Sequence, residues 1–95
     1  SASAPLDELA KLIGFPGKLG MDGGKVWQAW RDGRIAEIRD YCETDVLNTY
    51  LVSLRFRLLR GEMSRAEYAA ELSFVRAELM KIGKAHWQEF LAAWP

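Results

Sequence analysis

The sequence predicts an all-α protein of about five helices. Along most of the 95-residue chain, apolar residues recur three and four positions apart, which is the spacing of an amphipathic helix. Glycine and proline divide the chain at intervals that suit short helices. No stretch alternates apolar and polar residues for long enough to indicate a β-strand.

Two short helices are predicted in the first third of the chain. Proline suits a first helical turn and glycine suits a helix end, so the first helix is expected between Pro5 and Gly14. A glycine-rich connection follows over residues 15–24. The second helix is expected from about Gly24 to Asp32, with its aromatic residues on one face.

The longest predicted helix runs from about Arg34 to Arg60, and Gly61 ends it. Beyond it, Ser64 and Glu67 have the spacing of a capping box, which marks the start of a fourth helix. A regular apolar stripe then continues along that helix, formed by Tyr68, Leu72, Val75, Leu79 and Ile82.

A fifth helix is expected after Gly83, because an apolar face resumes there. That face is formed by Trp87, Phe90, Leu91 and Trp94.

Composition restricts the possible functions. Thirteen basic residues balance thirteen acidic ones, so no overall positive field attracts nucleic acid, and any such binding depends on local placement. The single cysteine, Cys42, excludes an internal disulfide and favours a reducing, cytoplasmic compartment. No apolar run approaches the roughly 20 residues of a membrane span, so we expect no membrane partner.

One carboxylate interrupts the long helix's apolar face. Residues three, four and seven apart share one line along this helix. That line is formed by Ile38, Tyr41, Asp45, Asn48, Thr49, Val52 and Phe56. A buried carboxylate is protonated, paired with a cation or bound to a metal ion. Two interpretations follow: Asp45 lies at the edge of the face and pairs with an arginine, or it has a chemical role.

The segment around Asp45 resembles a known nuclease motif. Tyr41 and Asp45 form a Tyr-x-x-x-Asp pattern within residues 38–50, and residues 6–14 and 20–23 match the same family. The chain from Leu6 to about Gly61 resembles the predicted exonucleases related to the proofreading domain of family B DNA polymerases. These belong to the DEDDy group of ribonuclease H-like 3′–5′ exonucleases.

The resemblance implies a two-metal hydrolysis of phosphodiester bonds at the 3′ end of single-stranded DNA. In that family four carboxylates hold two Mg²⁺ or Mn²⁺ ions. Asp45 would be the fourth carboxylate and a metal ligand. Tyr41, one turn earlier on the same face, would hydrogen-bond the attacking water.

The resemblance also implies a division of the chain. Residues 1–61 correspond to the C-terminal part of the exonuclease domain, and residues 62–95 to a C-terminal helical extension that forms a hairpin. The Asp-x-Glu motif, the second-motif aspartate and the α/β domain's sheet have no counterpart in the sequence. We therefore expect this chain alone to be inactive, and to self-associate through its Trp-rich and Phe-rich faces where it would otherwise contact the sheet-bearing part.

Four basic residues are candidates for phosphate contacts because they flank or follow the glycine-rich connection. They are Lys18, Lys25, Arg31 and Arg34. The alternative interpretation is an ordinary solvated surface. The four tryptophans can stack on bases, but their helical spacing favours packing in a core or an interface.

His86, the single histidine, lies far from the motif and has no acids near it at ligand spacing, so it is predicted to have no chemical role. The remaining acids around the motif, Glu37, Asp40 and Glu43, are interpreted as surface residues.

The alternative function is a non-catalytic interaction module that pairs helices through the stripe from Tyr68 to Ile82.

Overall fold

The computed structural model describes residues 4–17 and 23–95. These residues form five helices and no strand, which confirms the all-α prediction for this part of the chain. The helices are α1 (Ala4–Leu12), α2 (Gly23–Arg31), α3 (Ile35–Leu59), α4 (Arg65–Ile82) and α5 (Ala85–Ala93).

Helix α3 is the central element. Its 25 residues extend over about 37 Å, and each of the other four helices packs against it. The residues that it buries include two polar ones, Thr44 and Asn48, together with Leu51, Val52 and Leu54. Because α3 passes between the other helices, it determines where the motif residues Tyr41 and Asp45 lie relative to the core.

Aromatic side chains of α5 fill much of the core. Phe90 is fully buried, and its ring meets Trp87 and Trp94 edge-on at centroid distances of 5.8 and 5.9 Å. Phe15, which follows α1, contacts Trp94 in the same edge-on geometry at 5.9 Å. Edge-to-face pairs are a favoured arrangement of aromatic rings, so α5 is anchored by specific packing.

The boundaries of α4 follow the predicted signals. Ser64 accepts a hydrogen bond from the Glu67 amide at 3.0 Å, and the Ser64 amide donates to the Glu67 carboxylate at 2.8 Å. At the other end Gly83 adopts φ of 68°, a left-handed conformation that favours glycine. The Gly83 amide donates a hydrogen bond to the Leu79 carbonyl and so caps the helix.

The apolar stripe on α4 is shorter than predicted. Tyr68, Val75 and Leu79 are buried, but Ile82 is 53% exposed. The helix ends at Ile82 and the chain turns away at Gly83, so no element covers this last position. The prediction that Ile82 continues the packed stripe is therefore wrong.

One hydrophobic cluster joins residues from both sides of Gly61, among them Ala10, Leu51, Val75 and Phe90. The division of the chain at Gly61 stays a prediction. Within the described ranges, no helix is both long enough and apolar enough to cross a membrane.

Candidate functional site

Tyr41 and Asp45 lie on successive turns of α3, and both side chains are half-buried. Their spacing of four residues places them on one side of the helix. The backbone carbonyls of both residues accept hydrogen bonds from threonine hydroxyls. Thr44 donates to the Tyr41 carbonyl and Thr49 donates to the Asp45 carbonyl, both at 2.9 Å. The two side chains therefore project from regular helix at the border of the core.

Asp45 differs from the other acids of α3. Glu37 pairs with Arg34, while Asp40 and Glu43 both face His86. Among residues 4–17 and 23–95, no cation or hydrogen-bond donor reaches the Asp45 carboxylate. The arginine salt bridge that the sequence left open as an alternative is not formed within this part of the chain.

Part of the predicted face of α3 stays accessible. Of the residues on the line through Asp45, Asn48 and Val52 are buried, whereas Phe56 is 42% exposed and Thr49 is exposed. The other residues that α3 buries are Thr44, Leu51 and Leu54. The Asp45 side of the helix therefore offers surface on which another element can pack.

A buried asparagine holds the chain after α1 against α3. The Asn48 side chain accepts from the Gly17 amide at 3.1 Å and donates to the Gly17 carbonyl at 2.7 Å. Gly17 has φ of 71°, and a Cβ there would lie 2.6 Å from the Asp7 carboxylate. This Asn48–Gly17 pair places the chain beside the turn that carries Asp45.

The basic candidates differ in their surroundings. Arg34 lies just before α3 and contacts Glu37 at 2.9 Å and Asp32 at 3.5 Å, so its charge is largely balanced. Arg31 and Lys25 are exposed on α2. Lys18 lies outside the described residues.

The tryptophans divide into two groups. Trp87 and Trp94 are buried in the core, whereas Trp27 and Trp30 on α2 are each 62% exposed. The exposed pair lines a shallow hollow with Val26 and Ile38. Ile38 lies one turn before Tyr41, so this apolar hollow adjoins the motif side of α3.

Comparison with protein families decides the identity of the segment. A family model described as a predicted 3′–5′ exonuclease related to the exonuclease domain of PolB matches residues 1–94. The chain belongs to this family. Among curated proteins and solved structures, none shows significant similarity to it.

Membership of the PolB-related exonuclease family supports an assignment to nucleases at a coarse level. The match spans both segments on either side of Gly61. The roles of Tyr41 and Asp45 in this family member stay predictions, as do those of the four basic residues.

A second polar group in this exonuclease-family chain was missed by sequence reasoning. The His86 ring faces two carboxylates, with Nε2 at 2.7 Å from Glu43 Oε1 and Nδ1 at 3.5 Å from Asp40 Oδ1. The prediction that His86 lacks acidic neighbours is therefore wrong, and so is the interpretation of Asp40 and Glu43 as plain surface. Packing of α5 on α3 joins residues 43 positions apart, and no local spacing signals such a contact.

Proposed function

We propose that this chain supplies Tyr41 and Asp45 to a DEDDy-type 3′–5′ exonuclease that hydrolyses the 3′ end of single-stranded DNA. The proposal rests on the surroundings of Asp45. Its carboxylate is half-buried and has no hydrogen-bond or ion-pair partner among the described residues. A carboxylate that no other group engages can bind a divalent cation through its oxygens. Asp45 also lies one turn after Tyr41, within the family's motif, which supports a role as a metal ligand.

The described residues alone do not fit a two-metal centre. Asp45 is one carboxylate, and the described groups of acids and histidine that can share an ion do not include it. Two Mg²⁺ or Mn²⁺ ions require several more carboxylate ligands. We therefore place the missing ligands in a sheet-bearing polypeptide segment with an Asp-x-Glu motif, and propose that this chain by itself is inactive.

Tyr41 is proposed to orient an oxygen atom held next to Asp45. A phenol hydroxyl can donate one hydrogen bond and accept others, which suits the positioning of a water or a phosphate oxygen. Its place on the same side of α3 as Asp45 supports this role. The proposed phosphate contacts are Lys18, Lys25, Arg31 and Arg34. Arg34 is a weaker candidate than the exposed Arg31, because Asp32 and Glu37 balance its charge.

The proposed partners of the chain are a DNA 3′ end, the sheet-bearing segment, and a second copy of the chain when that segment is absent. Large exposed apolar side chains support such contacts. We place the protein in the reducing cytoplasm, where the exposed Cys42 stays a thiol.

The alternative, an interaction module built on the α4 stripe, has less support. Tyr68, Val75 and Leu79 of that stripe are buried within this chain, so they are not available to another protein. Ile82, at the end of the stripe, is exposed, but the other large exposed apolar residues of α4, Phe74 and Met80, lie off the stripe.

The reaction type is tested with end-labelled single-stranded DNA. The 95-residue chain and the exonuclease that joins it to an Asp-x-Glu segment are each incubated with Mg²⁺ or Mn²⁺. The proposal expects the joined protein to release mononucleotides from a free 3′ end and to spare a 3′-blocked strand. Release from the blocked strand, or equal release by the short chain, would show that the proposal is wrong.

A further inference from the structure

The described residues that can share a metal ion are Asp40, Glu43 and His86, which we call the His86 cluster. Asp40 and Glu43 stand three residues apart on α3, so they lie on neighbouring turns of one side. His86 lies in the first turn of α5. One ligand atom from each residue lies within 4.8 Å of the others.

The imidazole of His86 is held in place. Its side chain is 12% exposed, and its ring lies against the Trp87 ring at a centroid distance of 4.6 Å. Nε2 is 2.7 Å from Glu43 Oε1, a normal hydrogen-bond length, whereas Nδ1 is 3.5 Å from Asp40 Oδ1. A neutral ring that donates from Nε2 to Glu43 directs its Nδ1 lone pair towards a carboxylate oxygen.

Two lone pairs that face each other repel, and a cation bound between them removes the repulsion. Ligand atoms that are each about 2.1 Å from Zn²⁺ and 3.5 Å apart subtend about 113° at the ion, close to the tetrahedral angle. The same calculation for Nε2 and Glu43, which are 2.7 Å apart, gives roughly 80°, too narrow for tetrahedral coordination. The distance between Nδ1 and Asp40 therefore suits two ligands of one ion, whereas the distance between Nε2 and Glu43 suits a hydrogen bond.

We infer that Asp40 and Nδ1 of His86 bind a divalent cation of the zinc type, while Glu43 orients the imidazole from its far side. A carboxylate that accepts from the second nitrogen of a metal-binding histidine is a common supporting contact. Imidazole nitrogen favours Zn²⁺ over Mg²⁺, which prefers oxygen ligands. Water fills the remaining positions, since the Asp40 side chain is 38% exposed.

This site is separate from the proposed catalytic residues. Around the axis of α3, the Asp45 side chain points about 140° away from Asp40, five residues earlier, and about 160° away from Glu43, two residues earlier. The cation would connect α5 to α3, and α5 carries the buried Trp87 and Phe90. Binding is therefore expected to stabilise the fold as well as the cluster.

The test measures Zn²⁺ binding to the 95-residue chain by calorimetry and by ¹⁵N NMR of its single histidine. We expect one ion per chain, a changed Nδ1 signal and no competition by Mg²⁺. At about ten times the dissociation constant, Zn²⁺ raises the unfolding temperature by roughly 5–10 °C.

Three variants assign the roles. His86→Gln and Asp40→Asn each weaken Zn²⁺ binding by at least about tenfold, and Glu43→Gln weakens it by roughly tenfold because the ring loses its support. Glu37→Gln, a matched change on the same helix, leaves the affinity unchanged. The Asp40 side chain is 38% exposed and lies on α3, so Asp40→Asn keeps the test valid if His86→Gln loosens α5.

Three results would overturn the inference. The first is no Zn²⁺ binding, with His86 a doubly protonated ion pair. The second is undiminished binding in both His86→Gln and Asp40→Asn. The third is binding that only Asp45→Asn removes, which would place the ion at the other side of α3.

Discussion

At the scale of single residues, the four carboxylates of α3 have different surroundings. Asp40 and Glu43 face His86, and Glu37 pairs with Arg34, so three of them have a cationic or polar partner. Asp45 alone has none within the described chain. Because all four lie on one helix, their different surroundings come from what packs against each side.

Tyr41 is expected to contribute to catalysis through its hydroxyl. In the joined exonuclease, Tyr41→Phe removes one hydrogen bond to a polarised oxygen and should lower kcat by roughly tenfold to a hundredfold. The KM for DNA should change little. Tyr50→Phe, an equivalent change on an exposed tyrosine of the same helix, is the control. Equal kcat for wild type and Tyr41→Phe would rule out this role.

Asn48 is expected to be important for stability. Asn48→Ala leaves the buried amide and carbonyl of Gly17 without partners, which should lower the free energy of unfolding by about 3 kcal/mol. Urea unfolding measures this loss. Thr49→Ala, at the exposed neighbouring position, should stay within about 0.5 kcal/mol of wild type. Similar values for the two variants would contradict the importance of the Asn48–Gly17 pair.

These residue-level contacts show where sequence reasoning ends. The spacing of Tyr41 and Asp45 was sufficient to place them on one side of a helix, and family resemblance supplied their proposed roles. The contacts of Asn48 and His86 span 31 and 43 residues. They depend on how whole helices pack, which local patterns do not encode.

At the scale of elements, the helix ends were the most predictable features. Ser64 and Glu67 form the expected capping box because its hydrogen bonds involve residues only three apart. The extent of the apolar stripe on α4 was less predictable. Whether Ile82 is covered depends on the path of the chain after Gly83, not on the period of the helix.

The capping box gives α4 an acid-dependent stability. Donation from the Ser64 amide, and then the contact with its hydroxyl, lower the pKa of Glu67 below its ordinary value of 4.5. The contribution is therefore present above that value and is lost as the pH falls through the lower folded value. When the pH falls from about 6 to about 3, the free energy of unfolding should therefore decrease less in Glu67→Gln than in wild type. An identical loss in urea unfolding would contradict this.

The hydroxyl of Ser64 is tested separately at neutral pH. Ser64→Ala should lower the free energy of unfolding by about 1 kcal/mol, because the Glu67 amide loses its acceptor. Ser73→Ala, at an exposed position within α4, is the matched control and should not destabilise. Equal unfolding midpoints for the two variants would show that the cap is unimportant.

At the scale of the whole molecule, the helices form a thin body. Its shortest dimension is 18 Å, and its radius of gyration is 14.3 Å, compared with about 12 Å for a typical domain of this length. A body about two helices thick cannot cover all its apolar side chains. Trp27 and Trp30, each 62% exposed, are examples of what remains accessible.

This exposed surface predicts self-association of the isolated chain. In sedimentation velocity, the mean mass should rise with concentration, because association buries apolar area. Replacing both Trp27 and Trp30 by Gln should shift the distribution towards monomer, whereas Gln28→Ala on the same helix should not. A wild-type chain that stays monomeric at every concentration would contradict the prediction.

Asp45 is proposed to act in phosphodiester hydrolysis. The most direct test of this role is the rate of nucleotide release from a DNA 3′ end by the joined exonuclease carrying Asp45→Asn, with Glu89→Gln on the surface of α5 as control. Loss of a metal-binding carboxylate should slow release by at least about a hundredfold, while the control matches wild type. If a folded Asp45→Asn protein releases nucleotides at the wild-type rate, Asp45 has no part in the reaction.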